Sequence, residues 1–442
     1  MRKSYVKKIV TMVTVVVLAC VLLSGCMNVT AEDLYALPLL SEGYIRLQAM
    51  INDILNQGAE LSPPTGGINR QAVQLRDLTN NGINEVIAFF SVPGSGTLKV
   101  YIFTMEDGDY TIAETIEVIG TSFESVRYAD MDGDGYMEII IGWQMGPALS
   151  QMEIFSIRDF HAVSLARVEY TEFIDFDMTG NGNSDVVVIR PPTHESGIAV
   201  LVYSLMPDGE LIVNTARLSN GVEIVSRVLT GTLIDNTPAL FVDSEGRFRD
   251  GNRLVTDVYI FRYNELINLT VKSASGVSDE TVRTRMLSSD INRDGLIKIP
   301  IPRALKTQTE TQYYAIDWYT FNRRGYSNLS LTTFHNNNDE WLLILPFDWR
   351  GRVSVRRQDD VAGERTVVFS FVHRDDELLD FLKVYKITGD LREYRARLPG
   401  RFTLLESGSA VYAFELLSPP NSFGLSFDEA LIKDNFRLLF LD

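Results

Sequence analysis

The sequence feature that most constrains the fold is a nine-residue loop that recurs four times along the chain. The copies span Asp77–Glu85, Asp130–Glu138, Asp177–Asp185 and Asp290–Lys298, and we number them loops 1 to 4. Each begins with Asp, carries Gly at its sixth position and runs into an apolar segment. A unit that recurs in this way indicates a repeat architecture, in which the same small structure is built several times.

The spacing of the loops predicts the size of the repeating unit. Loops 1, 2 and 3 start 53 and then 47 residues apart, and loop 4 starts 113 residues later. This last gap is about twice the period, and a degenerate copy, Leu229–Asp235, fills it ahead of the apolar segment Ala239–Asp243. Each of the five units has room for about four strands, which is the strand number of a β-propeller blade.

The segments between the loops also predict strands. Hairpin turns are indicated at residues 106–109 and 207–209. Helical spacing of apolar residues is confined to Ser41–Leu55, with Ser41 as its N-cap, and to Ser426–Leu439. We therefore predict an all-β protein, a β-propeller of about six or seven four-stranded blades with a short N-terminal and a short C-terminal helix. The β-branched and aromatic runs that predict strands are 85–90, 98–104, 138–143, 186–189, 198–205, 239–242, 255–262, 341–345, 366–372 and 381–386.

The residue types of the loops suit a hard cation. Side-chain oxygens at positions 1, 3 and 5, a backbone carbonyl at position 7 and a carboxylate at position 9 form an oxygen cage of the kind that Ca²⁺ prefers. Gly at position 6 permits the sharp reversal that the cage requires. The candidate calcium ligands are Asp130, Asp132, Asp134, Tyr136 and Glu138 in loop 2, Asp177, Thr179, Asn181, Asn183 and Asp185 in loop 3, and Asp77, Thr79, Asn81, Ile83 and Glu85 in loop 1.

The four loops are not equivalent. Loop 2 has the full set of carboxylates, whereas loops 1 and 3 have Thr at the third position, so charge count ranks loop 2 first, then loop 3, then loop 1. Loop 4 has Lys298 where the closing carboxylate belongs, and we expect its ammonium to replace the ion by pairing with Asp290 or Asp294. The alternative for every loop is a tight Asp/Asn/Gly turn without metal, and we prefer it for loop 4.

The loop pattern resembles the FG-GAP and VCBS-type repeats of integrin-like β-propellers. In those repeats a D-x-[DN]-x-[DN]-G-x-x-[DE] loop binds calcium between the strands of a blade, and the resemblance extends over residues 68–300. It implies structural calcium in loop 2 and, with fewer carboxylates, in loops 1 and 3. The Phe-Gly…Gly-Ala-Pro signature is not evident, although Gly142–Pro147 stands where it would fall, and the blade number stays open.

The first residues predict export. A basic segment, Arg2–Lys8, precedes the apolar run Ile9–Leu23, as in a secretory signal. The following Ser24-Gly25-Cys26 resembles the bacterial lipobox, which implies cleavage before Cys26 and a lipid on its thiol; an ordinary signal peptide or an uncleaved anchor is the alternative. We thus predict a lipoprotein anchored to the outer face of the bacterial cell membrane. Its expected divisions are a signal peptide (1–25), a lipidated tether and amphipathic helix (26–62), the repeat region (63–305), and further blades or a separate all-β region (306–442).

Composition narrows the partners. Without residues 1–25 the chain keeps 37 basic and 58 acidic side chains, a formal charge of −21. This charge disfavours nucleic acid and anionic membrane surfaces and favours a cation ligand, with halotolerance or solubility as the alternative. Cys20 lies in the signal, so an intramolecular disulfide is not expected, and four separated His do not indicate zinc.

These observations favour a surface binding module for a protein, glycan or cell-wall ligand over an enzyme. Trp143, Trp318 and Trp349 are candidate contact residues, although burial inside a blade is the preferred interpretation for each. A polysaccharide lyase or hydrolase is the alternative, with Asp359-Asp360 and Asp375-Asp376 as acidic pairs, but exposed turn acids are by far the preferred interpretation of such pairs. A scaffold subunit of an envelope complex is a third hypothesis.

Overall fold

The computed structural model describes residues 42–194, 196–248, 251–307, 310–373 and 377–439. The predicted signal, Cys26, the N-cap Ser41 and the pair Asp375-Asp376 lie outside these residues. Within them the chain is built mainly from antiparallel strands, which confirms the all-β class.

The described strands form six antiparallel sheets that follow one another along the chain. All ten predicted strands are present, most of them one to six residues longer than predicted at one end or both. The sheets comprise sheet 1 (β1 Glu60–Leu61, β2 Val73–Arg76, β3 Glu85–Val92, β4 Thr97–Glu106, β5 Asp109–Ile119), sheet 2 (β6 Ser122–Ala129, β7 Glu138–Gly146, β8 Leu149–Arg158, β9 His161–Glu169), sheet 3 (β10 Glu172–Phe176, β11 Asp185–Arg190, β12 Ala199–Leu205, β13 Leu211–Arg217), sheet 4 (β14 Val222–Thr232, β15 Pro238–Phe248, β16 Gly251–Arg262, β17 Glu265–Asn268), sheet 5 (β18 Ile299–Ala304, β19 Tyr314–Phe321, β20 Ser327–Asn336, β21 Trp341–Leu345, β27 Phe436–Leu438) and sheet 6 (β22 Val353–Arg357, β23 Glu364–Val372, β24 Leu378–Thr388, β25 Arg401–Ser407, β26 Ala410–Leu416).

Sheets 2, 3 and 4 are simple four-stranded meanders, in which each strand pairs with the next one in sequence. In sheet 1, β1 and β2 pair with successive parts of the same edge of β3. In sheet 5 the C-terminal strand β27 adds to β21, and in sheet 6 the last two strands exchange places, so that β24 pairs with β26. The repeat therefore has its most regular form in sheets 2 to 4.

Consecutive sheets pack face to face, as the blades of a β-propeller do. Inner strands such as β7, β11 and β12 carry apolar side chains on both faces, one toward each neighbouring sheet, so they are buried along most of their length. This arrangement confirms the β-propeller prediction, with six sheets in the described part of the chain. Buried side chains at the five successive contacts include Phe89 and Phe123 (sheets 1 and 2), Ile154 and Val188 (2 and 3), Val202 and Leu240 (3 and 4), Phe241 and Ile299 (4 and 5), and Phe334 and Phe369 (5 and 6).

Helices cover the outer faces of the first and last sheets. The N-terminal helix α1, Glu42–Asn56, packs Leu47 and Ile54 on sheet 1, as its apolar spacing predicts. The short helix α2, Arg392–Ala396, packs Ala396 on sheet 6. Among the described residues no helix is both long enough and apolar enough to cross a membrane.

The C-terminal helix is shorter than predicted. Helix α3 spans Glu429–Asn435, and the Asp428 side chain caps it by accepting a hydrogen bond from the Leu431 amide at 2.8 Å. The predicted helix continued to Leu439, but Phe436–Leu438 instead pairs with β21. A sequence pattern within one segment cannot reveal this pairing, because its partner strand lies about ninety residues earlier.

The tryptophans named above as candidate contacts belong to the core. Trp143, Trp318 and Trp349 are each 1% exposed, which confirms the preferred interpretation of burial. Their indole N–H groups are satisfied inside the protein, for example by the Ile119 carbonyl at 2.9 Å from Trp143. They are therefore not available as surface contacts.

Candidate metal centre

The recurring loops occupy the same place in successive sheets. Loops 1, 2 and 3 join β2 to β3, β6 to β7 and β10 to β11. In each, the residue before the loop pairs with the ninth residue, as Ala129 does with Glu138. Loop 4 keeps this frame through the bridge between Ser289 and Lys298, just before β18. The degenerate copy ends in the turn between β14 and β15.

A hydrogen bond between the first Asp and the sixth Gly closes each loop. One carboxylate oxygen of Asp130 accepts a hydrogen bond from the Gly135 amide at 3.0 Å, and the other accepts from Gly133 at 2.7 Å. Gly135 has a φ of +90°, a conformation that favours glycine. The other loops repeat the first-to-sixth contact, at 2.8 Å for Asp77 and Gly82, 2.9 Å for Asp177 and Gly182, and 2.7 Å for Asp290 and Gly295.

The ninth residue is a buried carboxylate in loops 1, 2 and 3. Glu85, Glu138 and Asp185 are at most 1% exposed, and each accepts a hydrogen bond from the amide of the second residue at 2.8–3.0 Å. The second residues, Leu78, Met131 and Met178, are themselves buried and anchor the loops on the core, as predicted. Burial raises the pKa of all three carboxyls, and that of Glu138 reaches about 7.

In sheets 1, 2 and 3 a hydroxyl residue lies opposite this carboxylate, on the strand that follows it in sequence. Ser156 donates to Glu138 Oε1 at 3.1 Å, and Ser204 donates to Asp185 Oδ1 at 2.5 Å. Thr104 holds the equivalent place opposite Glu85. These residues were not predicted as site residues, although a hydroxyl residue recurs 18 or 19 positions after the ninth residue of loops 1, 2 and 3.

Loop 2 brings its predicted ligands together. One oxygen from each of Asp130, Asp132 and Glu138 lies within 4.8 Å of the other two, and among the described residues this is the one group of three such side chains with that geometry. Asp134 lies beside this group, because one guanidinium group donates hydrogen bonds to both Asp132 and Asp134. The donor set, all oxygen and mostly carboxylate, fits Ca²⁺.

That guanidinium belongs to Arg158, at the end of β8. Its Nη2 donates to Asp132 Oδ2 at 2.8 Å, and its Nη1 donates to Asp134 Oδ2. Glu138 Oε1 lies 4.0 Å from the same Nη2. The group also stacks over the Tyr136 ring, 5.1 Å from its centre. Sequence reasoning did not identify Arg158, because it reaches the loop from a different strand.

Loops 1 and 3 contain buried oxygens that lack partners. Thr79 Oγ1, Glu85 Oε1 and Thr179 Oγ1 are buried and have no hydrogen-bond partner among the described residues. A buried polar atom without a partner is costly, and a cation coordinated there would satisfy these oxygens. The residues present therefore fit a calcium ion in loops 1 and 3 as well, with fewer charges than in loop 2.

Loop 4 carries its own cation, as predicted. The Lys298 side chain is fully buried, and its Nζ donates to Asp294 Oδ1, to Asp290 Oδ1 at 3.5 Å and to the Leu296 carbonyl at 3.0 Å. These oxygens come from positions 1, 5 and 7, which are positions that would ligate an ion. The ammonium thus takes the place that calcium is predicted to hold in the other loops.

Loops 1, 2 and 3 form a continuous row. The Met137 amide donates to the Leu78 carbonyl at 2.8 Å, and the Ser184 amide donates to the Asp130 carbonyl at 3.2 Å. A Cβ added to Gly133 would lie 2.7 Å from Asn183 Oδ1 of loop 3, so these loops pack closely. Loop 2 is therefore in contact with both of its neighbours, and an ion there would stiffen the whole row.

Comparison with known proteins supports the repeat assignment. A family model described as an FG-GAP-like repeat matches residues 77–141, which include loops 1 and 2. The integrin-type repeat proposed from the sequence is therefore confirmed over this part of the chain. No curated protein matches the chain.

Solved structures that match this chain have low sequence identity to it and low TM-scores. A protein from Lactobacillus plantarum is 8% identical, with 72% of this chain and 86% of that one covered and a TM-score of 0.29. A rhamnogalacturonan lyase from Bacillus licheniformis is 10% identical, with coverages of 80% and 91% and a TM-score of 0.27. A protein described as a putative exo-beta-1,3-galactanase from Bifidobacterium bifidum is 10% identical, with coverages of 63% and 93% and a TM-score of 0.22.

Proposed function

We propose that this protein is a calcium-stabilised binding module, held on the outer face of the cell membrane by a lipid on Cys26. The observation that carries the calcium part is the convergence of three carboxylates in loop 2, inside the region that matches an FG-GAP-like repeat. Loops 1 and 3 add buried oxygens that lack partners. The lipid anchor rests on the sequence of residues 1–26 alone.

The ion's contribution is to neutralise clustered carboxylates and to hold each loop in one conformation. Asp130, Asp132, Asp134, Glu138 and the Tyr136 carbonyl would hold it in loop 2. Extracellular sites need a dissociation constant of only about 10⁻⁴–10⁻³ M to be filled. At about a hundredfold excess of calcium over that constant, one site adds about 2.7 kcal/mol to the free energy of unfolding.

A cavity beside loop 2 offers a place for a ligand. It has a volume of about 460 Å³ and opens to solvent between loop 2 and the β12–β13 turn. Four of its lining residues are acidic, namely Asp132, Asp134, Asp159 and Asp208, against the single cation Arg158. Carboxylates accept hydrogen bonds from hydroxyls and repel anions, so this lining favours a hydroxyl-rich glycan over a polyanion.

The acidic pair considered for hydrolysis does not support catalysis. Asp359 is held by the Arg357 guanidinium, and Asp360 accepts a hydrogen bond from the Gln358 amide group. Both carboxylates are exposed and lie between strands β22 and β23. This environment is that of ordinary turn acids.

Thermal unfolding of the full chain in detergent tests the calcium part. We expect millimolar calcium to raise the melting temperature relative to excess chelator, and Asp132→Ala to remove a large part of this rise. Asp53→Ala, on the exposed face of α1, is the matched control and should leave the rise unchanged. Equal melting temperatures with calcium and with chelator would mean that the loops are turns only.

Glycan binding and anchoring need separate measurements. Calcium-loaded protein should retain a neutral cell-wall polysaccharide, and retention should fall with chelator or with Asp208→Ala; a blank panel of polysaccharides would refute glycan recognition. Cys26→Ala should release the protein from membranes. If that variant stays with the membrane fraction, the lipid anchor is wrong.

A further inference from the structure

The hydrogen bonds of loop 2 leave few carboxylate oxygens for an ion. Asp132 uses Oδ1 to accept the Asp134 amide at 3.3 Å, and Asp134 uses Oδ1 to accept the Tyr136 amide at 2.8 Å. The second oxygen of each residue remains, and Arg158 holds both of them. The oxygens that a cation would bind in loop 2 are thus the ones that the guanidinium already occupies.

We infer that Arg158 is an internal counter-ion that calcium must displace from loop 2. The inference rests on the calcium sites proposed above and concerns a residue of this chain that the repeat motif does not include. Loop 2 has the most carboxylates and would otherwise be the tightest site, but competition with Arg158 weakens it. The same contact lets loop 2 stay folded when calcium is absent, because its clustered negative charge is already compensated.

Loop 4 shows the limiting case of the same arrangement. Lys298 is fully buried among Asp290, Asp294 and the Leu296 carbonyl, and it cannot leave without carrying a charge through the core. Arg158 differs because 37% of its side chain is exposed and it borders the solvent-open cavity beside loop 2. A long side chain at a strand end can therefore turn away from the loop into water, so the exchange with calcium is reversible.

The displaced guanidinium would remain at the ligand cavity. Asp159 and Asp208, which do not belong to loop 2, also line that cavity and can receive the charge. Calcium would then change the cavity wall from an Arg158–Asp134 pair to a guanidinium that faces Asp159, Asp208 and the open cavity. Calcium binding in loop 2 and ligand binding in the cavity are in this way coupled through one side chain.

The test is Arg158→Met in the full chain, with calcium titrated by calorimetry and unfolding followed in chelator. The loop 2 binding step is identified by its absence in Asp132→Ala. We expect Arg158→Met to bind calcium in loop 2 about tenfold or more tightly, which corresponds to the loss of one charge-assisted contact, and to melt at a lower temperature in chelator. A purely structural role would lower the melting temperature without improving calcium affinity.

Two further variants separate the effects. Arg167→Met removes the guanidinium that donates to Glu153 at 2.7 Å on the same sheet, and it should lower stability while leaving calcium affinity unchanged. Arg158→Lys keeps the charge and should restore the weaker affinity of the parent. If Arg158→Met fails to fold, Arg158→Gln, which keeps a hydrogen-bond donor, replaces it in the same titration.

The outcomes distinguish the two proposals. Tighter calcium binding in Arg158→Met with lower stability in chelator supports the displacement. Unchanged calcium affinity in loop 2 of a folded variant refutes the displacement and leaves the calcium sites standing. Absence of calcium binding in both the parent and Arg158→Met refutes the calcium sites and the displacement together.

Discussion

Loops 2 and 4 each have a basic side chain bound to their carboxylates, whereas loops 1 and 3, in the part of the chain that the structure describes, do not. Arg158 reaches loop 2 from β8, and Lys298 fills loop 4 from its own ninth position. Among the described residues no basic side chain contacts loops 1 or 3 in this way, and buried oxygens such as Thr79 Oγ1 and Thr179 Oγ1 are left without partners there.

This difference shows why a ligand count does not rank the sites. Counting carboxylates places loop 2 first, because it offers four of them. The affinity also depends on what already compensates those charges, and in loop 2 a guanidinium does so. If the proposed calcium sites exist, loops 1 and 3 have fewer charges but, among the described residues, no basic side chain for the ion to displace, so their calcium affinity need not be lower than that of loop 2.

The largest change in the free energy of unfolding is expected when loop 4 is given the closing carboxylate that loops 1, 2 and 3 have. Lys298→Glu completes the motif and replaces a buried ammonium with a carboxylate between Asp290 and Asp294. We expect it to lower the free energy of unfolding by about 3 kcal/mol in chelator, because the clustered charges are left uncompensated, and to be rescued by calcium.

Denaturant unfolding of Lys298→Glu with and without calcium measures both parts of this effect. Lys272→Met is the control, since Lys272 forms an exposed ion pair with Glu280 and its loss should cost less than about 1 kcal/mol. A large loss that calcium does not reverse would show that loop 4 cannot form the cage even with a complete ligand set.

A smaller loss of stability is expected when the hydroxyl that faces the carboxylate at the ninth loop position is removed. Ser204 donates to the buried Asp185 at 2.5 Å, so Ser204→Ala should lower the free energy of unfolding by about 2 kcal/mol. Thr104 on β4 has the equivalent place opposite Glu85 of loop 1, but it makes no hydrogen bond to that carboxylate. Thr104→Val should therefore be nearly neutral by denaturant unfolding, and equal losses in both variants would contradict the difference between loops 1 and 3.

Removal of a hydroxyl without a hydrogen-bond partner should affect stability differently with and without calcium. Thr179→Val removes a buried oxygen that has no hydrogen-bond partner, so in chelator it should raise the free energy of unfolding by about 1 kcal/mol. If that oxygen ligates calcium in loop 3, the same variant should reduce the stabilisation that calcium gives. Stabilisation by the same amount in calcium and in chelator would remove Thr179 from the ligand set.

The parts of the site that sequence could predict are those made by residues close together in the chain. Asp130 and Gly135 meet within one loop, and Lys298 meets Asp294 four residues earlier, so both contacts follow from the nine-residue pattern. The strands and α1 were predicted for the same reason, because the periodicity of their apolar residues is local.

The contacts that sequence did not predict join residues whose meeting depends on strand register. Arg158 reaches Asp132 because β8 pairs with β7 and ends beside loop 2, which no spacing rule gives in advance. The pairing of β27 with β21 likewise shortened the predicted C-terminal helix. Ser156 and Ser204 lie between these cases: a hydroxyl residue 18 or 19 positions after the ninth loop residue is visible in the sequence, but only the strand register shows that it meets the carboxylate.

The smallest effect is expected in the pH dependence of stability when Lys298 is removed from loop 4. Burial alone would raise the pKa of Asp294, but the hydrogen bond from Lys298 and the neighbouring amide lower it below its usual value of 3.8. A carboxyl with a lower pKa in the folded state contributes stability above its unfolded pKa and loses it as the pH falls through the folded value. Stability measured by denaturant from pH 5 to pH 2 should therefore fall less steeply in Lys298→Met than in the parent. Because Asp294 is 39% exposed, solvent screens the pair and the difference will be small. Identical slopes would mean that Lys298 does not lower the pKa of Asp294 in the folded protein.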